Sequence, residues 1–143
     1  MISHDVIPEK EQPMPFPLDE KELQKTEQEI GAVLPESYRN AMMKCNGGTV
    51  EVWDDTWELF PIFDQTSRKH ISRTCNHILK ETKSAQEWAT YHENAYAIAG
   101  NGSGDLLVIF RGGRIFEPQI FVWSHEDGAL IAVAQDFAEM RRV

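Results

Sequence analysis

The chain has 143 residues, 41% of them hydrophobic, with 14 Lys and Arg against 23 Asp and Glu, a formal net charge of −9. That length suits one domain with a core that needs no disulfide or metal staple. The charge argues against nucleic acid or an anionic membrane as partner, since no long basic run interrupts it; it is that of an ordinary acidic soluble protein or of one that attracts a basic partner. The longest apolar runs, such as Leu106–Phe110, are too short to span a bilayer. No signal peptide is visible in MISHDVIPEK, and Cys45 and Cys75 make no disulfide framework. A reduced, cytoplasmic protein is expected.

Residues 1–17 carry Pro8, Pro13, Pro15 and Pro17 and few apolar side chains, which predicts an extended arm outside the domain 18–143. LDEKELQKTEQEIG then predicts a surface helix. Asp19 and Glu22 have the spacing of a capping box, Leu18 and Leu23 that of a hydrophobic staple, and Gly31 is a stop. In LPESYRNAMMKCNGG, Pro35 suits the first turn of a second helix. Tyr38, Ala41, Met42 and Cys45 share one face, and Asn46-Gly47-Gly48 ends it. Tyr38 and Met42 are expected to be buried, with positive φ at Gly47 or Gly48.

TVEVW and WELF predict two strands joined by a turn at Asp54-Asp55-Thr56, with Pro61 ending the second or confining it to an edge. Gln65–His92 has a helical pattern, with Ile71, Ile78 and Leu79 on one stripe and Trp88 on a later segment. YAIAG reads as a strand, NGSGD as a turn, and LLVIF as a strand buried on both faces. Gly112-Gly113 allows a reversal before the strand QIFVWS; GALIAV adds a strand or leads into a last helix, DFAEM, capped by Asp136 and Glu139. The order predicts a single α+β domain. Its sheet, mainly antiparallel or mixed, packs with N-terminal, insertion and C-terminal helices.

Taken in order, LPESYRNAMMKCNGG, LFPI, AYAIAGNGSGDLLVIF, IFVWSHE and IAVAQDFAEM resemble the SUKH superfamily, in particular its branch related to the yeast Smi–Knr cell-wall assembly regulator. The resemblance covers about Leu18 to Met140. It implies an α+β fold and a common bacterial role as an immunity protein that binds and neutralises a toxin domain of a polymorphic toxin system. It implies no catalytic residues. Some relatives are eukaryotic or viral regulators, so a non-catalytic regulatory or scaffold module is the alternative.

The residues themselves argue against an enzyme. GNGSGD fails as a dinucleotide loop, because Asp105 breaks the pattern and a strand follows. It fails as a calcium loop, because the twelfth position is Gly112. His70 and His77 would share a helical face, but Cys75 would lie about 160° from His77. No Cys-x-x-Cys pair exists, and no metal or cofactor is expected. Ser124-His125-Glu126 cannot act as a triad, since neighbours on a strand point to opposite sides.

What remains is a binding surface. The candidate is the hairpin, with Glu51, Trp53, Asp54, Asp55, Trp57 and Glu58 set around aromatic anchors, while Val50 and Val52 face the core. The partner implied is a cognate protein toxin, with a basic nuclease-type domain suiting the charge. Nothing in the sequence sets the oligomeric state.

Overall fold

The structure, a computed structural model, describes residues 15–143. Of the proline-rich arm, only Pro15–Pro17 therefore lie among the described residues; the rest of that expectation falls outside them. Two helices open the fold, α1 (Glu20–Ile30) and α2 (Glu36–Lys44). The hairpin β1 (Thr49–Val52) and β2 (Asp55–Leu59) follows, then the short helices α3 (Arg68–Arg73) and α4 (Ile78–Ala85). The chain continues through β3 (Ala95–Gly100), β4 (Leu106–Phe110), β5 (Ile120–Trp123) and β6 (Leu130–Ala134). A 3-10 turn, Phe137–Glu139, and the two-residue strand β7 (Arg141–Arg142) close it. The sheet order is β6-β5-β4-β3-β2-β1-β7, and every neighbouring pair is antiparallel. The expected α+β domain is present, and its sheet is wholly antiparallel.

The main core lies on one face of this sheet. Leu23, Tyr38 and Met42 from the first two helices meet Val50, Trp57, Leu59, Leu107 and Ile109 from the strands. Phe137 closes the cluster with its ring edge-on to Tyr38, 5.3 Å between centroids. A smaller cluster occupies the other face, where Val108, Ala95 and Trp123 pack with Tyr91 and Phe110. LLVIF is thus apolar throughout because β4 is covered on both sides. A bulge in β3 places Ile98 between the paired residues Ala97 and Ala99, and the Ala97 N–H donates to Thr82 Oγ1 of α4 at 2.8 Å.

Several local expectations are corrected. Asp19 makes no side-chain cap on α1. Glu22 is buried and accepts from the Gln65 N–H, 2.8 Å, so it fastens α1 to the segment after β2. Glu27 is buried too, accepting from the Leu34 N–H at 2.8 Å and from Arg39 Nε at 2.9 Å. The charged face of α1 is therefore partly a tertiary contact and not wholly a solvated surface. The hairpin turn is Trp53-Asp54, one residue earlier than expected, and Asp55 and Thr56 belong to β2. The 65–92 segment breaks after Arg73 into two short helices, which leaves Ile71 exposed while Ile78 is buried. The last helix is a single 3-10 turn. Asp136 accepts from the Ala138 N–H, but Glu139 bonds the Gln135 N–H, one residue before the capping-box position.

Candidate functional site

In the β1–β2 hairpin, Val50 opposes Trp57 and Glu51 opposes Thr56. Alternation then separates two faces. Val50, Val52, Trp57 and Leu59 point into the core, and Glu51, Thr56 and Glu58 point away from it. Trp57 is 2% exposed, so it roots the hairpin in the core and offers no free surface. Its inclusion among the partner-facing residues is corrected, for the same period-two reason that places the valines. Trp53 is the opposite case, 59% exposed at the tip. It has φ 54° and Asp54 has φ 60°, the two left-handed residues that a tight hairpin turn of this hand demands.

Around Trp53 the charge is mainly acidic. Asp54, Asp55 and Glu58 are exposed. Asp55 accepts from the Thr56 N–H at 2.9 Å, and its second oxygen lies 3.5 Å from Asn101 Nδ2, linking the hairpin to the 101–105 turn. Glu51 stands 3.4 Å from Arg141 of β7, a solvated pair of small energetic weight. Glu51 and Glu58 share the outer face, Trp53 and Asp54 form the tip, Asp55 stands exposed on the Trp57 side of β2, and Trp57 itself is buried.

The structure adds residues that the sequence did not join to this surface. Glu58 also lines a hollow of about 320 Å³ beyond the hairpin, together with Glu81 and Asp105. Trp88, 50% exposed, stands at the far side of the adjoining hollow. Glu81 lies in the first turn of α4 and Trp88 three residues past its end, and nothing in the sequence distance between Glu58 and Glu81 announces that they line one hollow.

The remaining polar clusters are committed to the fold. A cleft of about 290 Å³ lies between Phe16 and the Asn46-Gly47-Gly48 turn. The Asn46 amide there is used twice on Ile62, accepting from its N–H and donating to its C=O, both at 2.8 Å. Asp64 accepts from Thr66 Oγ1 at 2.6 Å and pairs with His70 Nδ1 at 2.9 Å. Burial alone would raise the Asp64 carboxyl, but the Thr66 and His70 hydrogen bonds outweigh it and hold the group below its ordinary value. His77 does not share a helical face with His70. It caps α4, accepting from the Lys80 N–H at 3.3 Å, and burial lowers its pKa. Cys75 is exposed between the two short helices. Among the described residues, no group of three or more His, Cys, Asp or Glu side chains could hold a metal ion. His125 Nδ1 lies 2.7 Å from Asp105, and the same carboxylate oxygen accepts the His125 N–H, so this pair ties the β3–β4 turn to the end of β5. No described helix is long and apolar enough to cross a membrane.

Comparison with curated protein sequences finds no match. A family model does match, over residues 17–142, nearly the whole described chain. The order of helices, antiparallel sheet and closing turn agrees with the resemblance carried by the Leu34–Gly48 and Ala95–Phe110 stretches, and the chain belongs to the SMI1 / KNR4 family (SUKH-1).

Proposed function

We propose that this protein is an immunity protein that binds and neutralises a cognate toxin domain in the cytoplasm, without catalysis of its own. Membership of a family known for immunity proteins supports the reading. The observation that carries it is Trp53, a large aromatic ring held in solvent on a left-handed backbone, with carboxylates beside it. A left-handed conformation costs a non-glycine residue about 1–2 kcal/mol, and exposing an indole gains the free protein nothing. A partner that buries the ring gains the transfer free energy of the indole. The acidic surroundings suit a basic partner, as a nuclease-type toxin domain is, by speeding encounter and excluding wrong partners.

The test is co-purification with the product of the adjacent upstream gene, followed by growth rescue of cells expressing it. The hairpin is tested by the triple reversal D54K/D55K/E58K in a protein of unchanged melting point. Slower association with the toxin and a weaker salt dependence of that rate are expected. Unchanged kinetics with full protection would remove the hairpin from the interface. Failure of the wild-type chain to bind or protect would overturn the immunity reading itself.

A further inference from the structure

The hollow beyond the hairpin has an unusual lining. Phe60 and Leu106 contribute apolar surface, Glu58, Glu81 and Asp105 contribute carboxylates, and no Lys or Arg is present. Among the described residues neither Glu58 nor Glu81 makes an ion pair. Asp105 is oriented by His125. The adjoining hollow, about 140 Å³, shares Glu81 and Leu106 with the first and ends at Trp88. Trp88 is held from behind, edge-on to Trp123 at 6.4 Å and to His125 at 5.4 Å, while half of it stays in solvent. Glu81, Gly104 and Leu106 line both hollows of this groove; three carboxylates line the first, and Glu81 and Trp88 the second.

We propose that this groove docks an arginine-bearing segment of the protein partner, with Trp88 as a second aromatic anchor distinct from Trp53. Like charges lining a cleft with apolar surface focus a negative potential and repel one another until a cation enters. Arginine fits better than lysine, because its planar guanidinium can lie on the indole while its N–H groups reach Glu81. The partner's being a toxin rests on the immunity reading; the cation chemistry of the groove does not.

The probe is a hexa-arginine peptide, titrated into the full chain and followed through the backbone amide signals and the Trp88 indole N–H signal. Saturable shifts are expected at Gly100–Leu106 and at Trp88. Glu81→Gln, which preserves the side-chain shape, should weaken binding about three- to fivefold. Trp88→Ala should weaken hexa-arginine more than hexa-lysine. Shifts spread over the acidic surface at large, or unmoved by Glu81→Gln, would overturn the proposal. In cells, Glu81→Lys is expected to reduce protection. Full protection by that variant would remove the groove from the toxin interface and leave the immunity reading in place. A groove that binds the peptide as expected, in a chain that neutralises no toxin, would confirm the docking chemistry and overturn the immunity reading.

Discussion

Two left-handed turns border the same hairpin, and they are built from opposite materials. Entering β1, the chain turns at Gly47 and Gly48, with φ 136° and 90°. Glycine takes these values without steric cost, Gly47 is buried, and Asn46 beside it satisfies both backbone groups of Ile62. At the tip, φ 54° and 60° fall on Trp53 and Asp54, where Asn-Gly is the unstrained choice. The first turn is built for stability. The second holds an indole and a carboxylate in solvent at a cost in backbone strain.

The comparison breaks most directly at Asn46. Asn46→Ala leaves the buried Ile62 N–H and C=O without partners and should destabilise the protein by about 2–4 kcal/mol, read as a fall in denaturation midpoint at constant m-value. Gly48→Ala is milder. The new Cβ would meet no atom closer than 3.9 Å, so backbone strain alone sets a loss of about 1–2 kcal/mol. The tip should respond with the opposite sign. W53N/D54G relieves the strain and should raise stability by about 1 kcal/mol while weakening partner binding. A lower melting point for that variant would mean that the exposed indole serves the fold after all.

The smallest effect concerns the charged segment after the hairpin. Burial lowers the His77 pKa below 6.5, and its ring nitrogen accepts the Lys80 N–H at the start of α4. The unfolded chain therefore takes up this proton more readily than the folded one. The contribution of His77 is present above pH 6.5 and is lost as pH falls below it. His77→Asn keeps a capping side chain and removes the titration, so it should flatten the decline in melting temperature on acidification from pH 7 to 5.5. A decline identical to wild type would assign the pH sensitivity elsewhere.

Much of the architecture was written locally. The face Tyr38–Met42 follows from helical spacing, and the stop at Gly47-Gly48 from glycine's conformational freedom; the inward valines follow from the period of a strand. The burial of Trp57 follows from a register that sets it opposite Val50, whereas a turn at Asp54-Asp55-Thr56 would have set it opposite Trp53, so the turn position decided it. What local rules could not supply was the destination of charged side chains. Glu22 and Glu27 share their helix with exposed Glu20 and Glu29, and only the N–H groups of Gln65 and Leu34, delivered by other segments, explain why these two are buried. Glu58, Glu81 and Asp105 likewise meet because the sheet places β2, α4 and the β3–β4 turn side by side. Periodicity determines which way a side chain leaves its own strand or helix. Which side chains then share a surface depends on the pairing of distant segments, and only the tertiary structure decided that.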